Sequence, residues 1–487
     1  MAVSAADVRL IVERVCTRPD VLNACRNRDI GFVIDELGAN GVTQGRIAAL
    51  TGLTQGRLSE YKNGKRTGAR ARASTLEAFA DGVGLPQVAR QALGVSDHPS
   101  RTDFDPGGTS LPVGTAYPDT PVDAVKNVSE LWRRDLGDPT SLNQGRIVPA
   151  AWNDASLRWL VDPGSRLDHH RGNGTRIGTA DVDRFRVTVD MFARLDDRFG
   201  GGHARQVLVQ YLSTDGERLL RGQYSEEVGR KLFSSVSEAT LLAAWMSYDS
   251  APASAFAQSY FVQALALARA GNDRLLGASI LDAMSHQATY LGRFSEAATL
   301  ARAARTGATG VATATLTSHF HTMEARALAR LGDARGCDRS LAEAVREFER
   351  RNPDDDPHWI RYFDEAELSA EFGHCLRDLG RATDATRHAS RCLPSDATTF
   401  MRSDFFAAIV LADAHLTAGD LEQACDVALN ALAAGEQLRS ARCVNYLREF
   451  RKHLTRAAST NTVVEFSEQA RLSRLWRIAS RPDRSPD

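Results

Sequence analysis

Amide, hydroxyl and basic side chains are concentrated in one short stretch of the sequence, residues 43–66. Within it, Gln55 and Arg57 stand two positions apart near the start of a short helical pattern. A glutamine amide can bond N6 and N7 of adenine together, and an arginine can bind the matching edge of guanine. Residues of these types at this spacing predict contact with base edges. The basic residues that follow can hold phosphate, and they are Lys62, Lys65 and Arg66.

Two short helices joined by a tight turn are needed to present these side chains. Thr43 and Thr54 are suited to cap the first and the second helix. Gly52 supplies the turn, because left-handed backbone costs little without a Cβ atom. We expect Leu58 and Tyr61 to anchor the second helix inward at i, i+3. Its outward N-terminal end then carries Gln55, Arg57 and Ser59, and the first helix takes its apolar side from Ile47, Ala48 and Leu50.

The charge around these helices differs from that of the whole chain, whose formal net charge is −1. Residues 41–75 contain seven basic residues against one acidic residue, a local net charge of +6. Such a field favours phosphate contact and salt-dependent binding.

Further helices complete a small bundle around the pair. The pattern predicts helices over 5–17 and 19–39, with an apolar face on the second formed by Ile30, Phe32, Val33, Ile34 and Leu37. Residues 74–86 predict a capped helix ended by Gly and Pro, and residues 87–93 predict a last short helix.

Residues 29–94 resemble the helix-turn-helix domain of the phage-repressor (Cro/CI, Xre) family. The matching pieces are Thr43-Gln44, the turn at 51–55, the Asn-Gly-Lys-Arg segment at 63–66, and the closing helix from Leu76 to Leu85. The resemblance implies that the first residues of the scaffold helix touch phosphate and that Gln55 contacts a base. Two glycines within the helices depart from the pattern, each costing about 1 kcal/mol relative to alanine; they are Gly45 and Gly56. The predicted DNA-binding residues are Thr43, Gln44, Thr54, Gln55, Arg57, Ser59, Lys62, Lys65 and Arg66.

The 487 residues allow several domains, and we predict an all-α chain. A five-helix helix-turn-helix domain occupies 1–94, and a flexible Pro/Gly-rich linker with five prolines occupies 95–122. A helical middle region follows at 123–233, repeats at 234–433, and C-terminal helices and a tail at 434–487. The triple glycine at 200–202 predicts a helix-ending turn, since no strand precedes it as a nucleotide loop requires. No run of about 18 apolar residues exists, and seven dispersed cysteines indicate reduced thiols.

A helix-pair motif recurs in the repeat region. Its anchor is a glycine followed five residues later by alanine or cysteine, and the glycines are Gly292, Gly332, Gly380 and Gly419. Their spacings are 40, 48 and 39 residues. The motif resembles tetratricopeptide repeats, although those usually recur every 34 residues or so. Stacked pairs would form a superhelix with a concave groove.

Polar residues of mixed charge are predicted to line that groove. They suit a peptide backbone or a small polar ligand, and solvated residues without a partner are the alternative. The predicted groove residues are Asp282, His286, His319, Arg326, His374 and Arg377, with Asp249, Glu367 and Asp413 at matching offsets.

The whole arrangement resembles actinobacterial regulators with an Xre-type head and a repeat-built body, and more distantly the peptide-sensing RRNPP regulators. This resemblance implies a cytoplasmic, nucleoid-associated repressor that binds double-stranded operator DNA as a homodimer and senses a peptide or small ligand. One alternative is an interaction scaffold whose groove binds a protein partner and whose head only localises it on DNA. Because no Walker loop, GxSxG or HExxH motif is present, we expect no enzyme activity, catalytic residue or cofactor. The lack of a long apolar run predicts no membrane contact. His319 and His321 stand at i, i+2 and so diverge on a helix, and we therefore expect no metal site. An enzyme fused to a DNA-binding head is the third, least favoured reading.

Overall fold

The computed structural model describes residues 11–12, 14–51, 53–65, 71, 73–95, 114–137, 147–161, 174–250, 254–392 and 401–481. The predictions for Gly52, Arg66 and linker residues 96–113 therefore lie outside the described residues. The chain divides into two compact units, Met1–Thr109 and Ser110–Asp487, called here the head and the body. In the described ranges the secondary structure is helical apart from one isolated bridge between Arg176 and Gln223.

The head is a bundle of short helices. Their bounds are α1 Pro19–Arg26, α2 Ile30–Ala39, α3 Gln44–Thr51, α4 Gln55–Lys62, α5 Ala73–Val83 and α6 Gln87–Leu93. The core between them holds Ile47, Leu58, Phe79 and Leu93, each at most 1% exposed. The helices predicted at 74–86 and 87–93 are confirmed within a few residues at each end.

The single helix predicted over 19–39 is wrong. The chain breaks between α1 and α2 because Arg28 adopts a left-handed backbone with φ 53°. Asp29 then starts α2, and its carboxylate accepts a hydrogen bond from the Phe32 amide. Two side chains expected in the core also point outward, since Phe32 is 37% exposed and Leu50 is 40% exposed.

The body begins with helices that precede the repeats. They are α7 Pro121–Gly137, α8 Pro149–Val161, α9 Thr179–Phe199, α10 Arg205–Tyr211 and α11 Glu217–Leu220, with a π-helical turn at Leu212–Gly216 joining the last two. Trp132, Trp152 and Trp159 anchor this part in the core of the body.

Helix pairs follow in series. The pairs are α12 Glu226–Asp249 with α13 Ser254–Ala270, α14 Arg274–Tyr290 with α15 Phe294–Gly307, α16 Ala314–Arg330 with α17 Ala334–Glu349, α18 Glu365–Asp378 with α19 Ala382–Ala389, and α20 Met401–Ala418 with α21 Leu421–Ala434. The chain ends with α22 Ala441–Leu454, α23 Asn461–Ala470 and α24 Arg474–Ala479. The two helices of each pair pack closely on each other, as in a helical hairpin.

The glycine motif marks the turns inside these pairs. Gly292, Gly332, Gly380 and Gly419 have φ of 73°, 74°, 73° and 89°, a left-handed conformation that a Cβ atom disfavours. The small residue five positions later is buried in each of these four pairs: Ala297, Cys337, Ala385 and Ala424 are each 0% exposed. The predicted pairs of helices joined by a glycine turn are therefore present in the repeat region.

The predicted linker is shorter than expected at its C-terminal end. Tyr117 is 3% exposed within the body core. The Gln263 amide donates to the carbonyl oxygens of Gly114 and Ala116, at 2.6 and 2.9 Å. Arg269 donates to the carbonyl oxygens of Pro118 and Asp119, so residues 114–119 are held on the body. None of the helices in the described ranges is long and apolar enough to cross a membrane.

Candidate nucleic-acid surface and inner face of the helix pairs

Two glycines let the helices of the head approach closely behind α4. A Cβ at Gly31 of α2 would overlap the carbonyl of Tyr61, and one at Gly82 of α5 would overlap the carbonyl of Leu50. Leu58 and Tyr61 are 0% and 4% exposed on the inner side of α4. The predicted anchoring of α4 at i, i+3 is therefore present.

The N-terminus of α4 is fixed by side-chain hydrogen bonds. The Thr54 hydroxyl accepts from the amide of Arg57 at 3.3 Å, which is the predicted cap. Gln44 donates from its side-chain amide to the carbonyl of Gln55 at 2.9 Å and so ties the start of α3 to the start of α4. Thr43 caps α3 by accepting from the amide of Arg46.

Gly45 and Gly56 have different surroundings. A Cβ at Gly45 would lie 2.8 Å from the side-chain nitrogen of Gln55, so a larger residue there would displace Gln55. Apart from its chain neighbours and the backbone of its own helix, no described residue has an atom within 4 Å of a Cβ built at Gly56. Gly45 thus leaves room for the side chain of Gln55. Gly56 leaves the exposed side of α4 without a side chain at that position.

The outward side of α4 presents the predicted polar residues. Gln55 and Arg57 are exposed, and Ser59 is half-buried with its hydroxyl accepting from Asn63. Lys65 is exposed beyond the end of the helix. Lys62 is exposed, but its ammonium group forms an ion pair with the carboxylate of Asp35 at 2.6 Å.

The predicted groove residues lie on the first helices of successive pairs, and side chains from α22 reach many of them. Helix α22 packs directly beside α20. Its residues nevertheless contact Asp249 on α12, Tyr290 on α14, Arg326 on α16, His374 and Arg377 on α18, and Asp413 on α20. One helix can touch all five first helices only if their inner faces converge. Much of the predicted groove is therefore filled by the chain itself.

A buried charge cluster joins the start of α22 to α12. Asp249, 0% exposed, accepts from the Ser440 hydroxyl at 2.6 Å and from Arg442 at 2.8 Å, and it lies 3.4 Å from Arg402. Burial raises the pKa of Asp249, but the two arginines more than offset it, so its pKa lies below the ordinary value. Arg402 also pairs with Asp196 at 2.9 Å.

The triple glycine packs against the same cluster. Gly200 ends α9 with φ 82°, as the prediction of a helix-ending turn requires. A Cβ at Gly201 would lie 2.6 Å from the carbonyl of Met246, and the Gly201 amide donates to Asp249. Two residues before α22, the backbone amide of Arg439 donates to the carbonyl of Phe199 at 2.9 Å and completes the closure. These glycines thus allow backbone segments far apart in sequence to meet.

Tyr446 of α22 lies at the centre of the next cluster. Its hydroxyl is 3.4 Å from Arg326, its ring is 5.6 Å from the ring of His374, and Arg377 lies 5.9 Å from the ring centre. Burial lowers the pKa of His374 well below its ordinary value, so that imidazole is neutral. His286 lies nearby, bonded to the Tyr248 hydroxyl at 3.2 Å, and burial lowers its pKa as well.

Asp282 and His319 form a separate part of the inner face. The carboxylate of Asp282 lies 2.7 Å from Nδ1 of His319, and the Tyr362 hydroxyl lies 3.2 Å from Nε2. Burial alone would lower the pKa of His319, but the Asp282 carboxylate raises that pKa above the ordinary value. The contact of Arg326 with Glu371 at 3.3 Å adds a second carboxylate to this region.

Several residues of these clusters are not among the predicted residues, including Tyr362, Glu371 and Tyr446 and, around Asp249, Arg402, Ser440 and Arg442. Tyr446 lies beyond the repeats, in the region predicted only as C-terminal helices and tail. A sequence signal does exist, since Arg442, Tyr446 and His453 share one side of α22 at i, i+4 and i+11.

Two cavities in the described part of the chain lie away from these clusters. One of about 500 Å³ is lined by apolar residues of α17 and α18 together with His388 and Arg387 of α19. Another of about 230 Å³ lies against α9 and the π-helical turn. No predicted groove residue lines either of them.

The comparisons with protein-family models and with curated proteins found no match to this chain.

Proposed function

We propose that this chain is a sequence-specific DNA-binding transcription regulator. The observation that carries the proposal is the exposed pair Gln55 and Arg57 on a short helix whose opposite side, Leu58 and Tyr61, is held in the core of the head. A helix supported in this way can enter the major groove, where amide and guanidinium groups distinguish bases.

The surrounding residues support the same docking. Lys65 and the N-terminus of α3 lie on either side of α4 in sequence and supply groups that hold phosphate. Lys62 would exchange its contact with Asp35 for a phosphate, because the phosphate repels that carboxylate and attracts the ammonium group. The head would bind as part of a homodimer, with two half-sites about one helical turn apart.

The body is proposed to sense a ligand. Its inner face joins five first helices through a few charged and aromatic side chains, so a ligand that displaces one contact shifts several helices together. Such a ligand acts by favouring one of two arrangements of the body, and the heads of a dimer then match or miss the half-site spacing. We expect repression of the genes next to the operator.

Selection of bound fragments from genomic DNA by the full-length protein tests this proposal. The expected result is enrichment of a pseudo-palindromic sequence by the wild-type protein and by Arg26→Ala, a control at an exposed arginine on α1. Arg57→Ala should enrich the same sequence without the preference at one position of each half-site. Recovery of the same unrelated fragments by all three proteins would contradict the proposal.

A further inference from the structure

Two carboxylate oxygens on the inner face lack hydrogen-bond partners. They are Oδ1 of Asp282 and Oε2 of Glu371, both buried and without a donor among the described residues. Asp282 is only 4% exposed. A buried carboxylate oxygen without a donor is costly, so such atoms point to a group that the chain does not itself supply.

The charges around these oxygens are unbalanced. Asp282, Glu367 and Glu371 face two cationic groups, His319 and Arg326, which already bind Asp282 and Glu371 through their other oxygens. Glu367 forms no ion pair with a basic side chain of the described residues, and it accepts a hydrogen bond from Ser403. Burial, followed by the nearby charges of Glu371 and Asp364, raises the pKa of Glu367 to about 7. With every group ionised, the three carboxylates Asp282, Glu367 and Glu371 exceed the cations His319 and Arg326 by one charge.

The cluster is connected and accessible. Both Glu367 and Glu371 raise the pKa of His319, which places them within electrostatic reach of the Asp282–His319 pair. Tyr362, bonded to that same imidazole, is 47% exposed and so lies at the boundary between the cluster and solvent. Its aromatic ring can take a cation on its face.

From these observations we infer that the Asp282–Glu367–Glu371 cluster binds a small organic cation, a primary ammonium or a guanidinium group. Such a group brings one positive charge and several N–H donors, which match the excess charge and the two unpartnered oxygens. A metal ion fits less well, since the described residues contain no group of three or more His, Cys, Asp or Glu arranged to hold one. The inference deepens the sensing role proposed above and rests on it, but its test does not involve DNA.

The cation can come from a free amine or from the side chain of a peptide. Titration calorimetry of the full-length protein with butylguanidinium, butylammonium and acetyl-Gly-Arg-Gly-amide distinguishes these sources. Butylurea, the neutral analogue of butylguanidinium, is the matched ligand control. We expect the two butyl cations to bind with dissociation constants below about 1 mM and butylurea to bind at least about tenfold more weakly. Tighter binding of the peptide than of butylguanidinium would assign the cation to a peptide.

Glu367→Gln tests the site itself. This variant removes the carboxylate without changing its size, and it should weaken cation binding at least about tenfold. Glu365→Gln is the control because Glu365 is exposed on the same helix, and it should leave binding unchanged. Near pH 7, binding should also release a proton from Glu367, so the observed heat should differ between buffers of different ionisation enthalpy for wild type but not for Glu367→Gln.

The inference is overturned if neither butyl cation binds at about 10 mM, if butylurea binds equally well, or if Glu367→Gln and Glu365→Gln bind alike. DNA binding by the same proteins separates this failure from that of the regulatory role. If the wild-type protein binds its selected DNA but no cation, the proposed regulatory role stands and the proposed cation site is refuted. If the protein binds cations through Glu367 but binds no DNA, the proposed cation site stands and the proposed regulatory role is refuted.

Discussion

The buried carboxylate of Asp249 should hold the end of the chain on the body. It accepts from Ser440, Arg442 and Gly201 at 2.6, 2.8 and 3.2 Å, and it lies 3.4 Å from Arg402. Asp249→Asn keeps the size of the side chain but turns one acceptor oxygen into an NH₂ group. In either orientation about half of these contacts then face a donor instead of an acceptor.

The expected loss is about 3 kcal/mol in the free energy of unfolding of the body. Breaking a buried ion pair costs about 3–5 kcal/mol when one partner remains unpaired. The lower end applies here because Arg402 keeps its contact with Asp196, whereas Arg442 pairs with no other carboxylate of the described residues.

Urea unfolding followed by tryptophan fluorescence measures this loss in the full-length protein. All six tryptophans lie beyond residue 109, so the signal comes from the body alone. Asp190→Asn is the control, an exposed aspartate on α9, and it should stay within about 0.5 kcal/mol of wild type. A loss below about 1 kcal/mol for Asp249→Asn would refute the reasoning, because an isolated neutral hydrogen bond contributes that much.

Three further predictions concern the head and the inner face. Lys65→Ala should lower the slope of log affinity for DNA against log salt by about one, and an unchanged slope would show that Lys65 does not touch phosphate. Gly56→Ala should stabilise α4 by up to about 1 kcal/mol because its Cβ meets no described atom within 4 Å; amide hydrogen exchange at Leu58 should slow by up to about fivefold, and faster exchange would contradict this. Asp282 raises the pKa of His319 in the folded state. The stability that protonated His319 gives the folded protein is therefore complete below the pKa of about 6.5 that histidine has in the unfolded chain, and it is lost as pH rises through the pKa of His319 in the folded protein. Wild type should therefore exceed His319→Gln in stability most at about pH 6 and least at high pH, and a constant difference would exclude the linkage.

Local features of the fold could be predicted because they depend on neighbouring residues. Thr54 caps α4, and Leu58 and Tyr61 anchor it, as helical spacing requires. The left-handed glycines from Gly292 to Gly419 are likewise visible in the sequence, since only glycine adopts that backbone at little cost.

Features that depend on distant residues could not be predicted in this way. Arg28 adopts a left-handed backbone without being a glycine, so nothing in the local pattern announces the break between α1 and α2. Helical spacing predicts that the polar residues of the first helices share one face, but the contact of Asp249 with Arg442 spans 193 residues. No local periodicity indicates that α22 contacts the first helices of the pairs.

The base preference of the full-length protein before and after Arg57→Ala tests the central claim most directly. Affinities for a selected operator and for each single-base variant should show that Arg57→Ala abolishes the preference at one position of each half-site. The affinity for the preferred base should fall by about 1–3 kcal/mol, with nearly the same dependence on salt. An equal loss of affinity for every sequence, or a wild-type protein that binds no DNA at low salt, would contradict the assignment of α4 to the major groove.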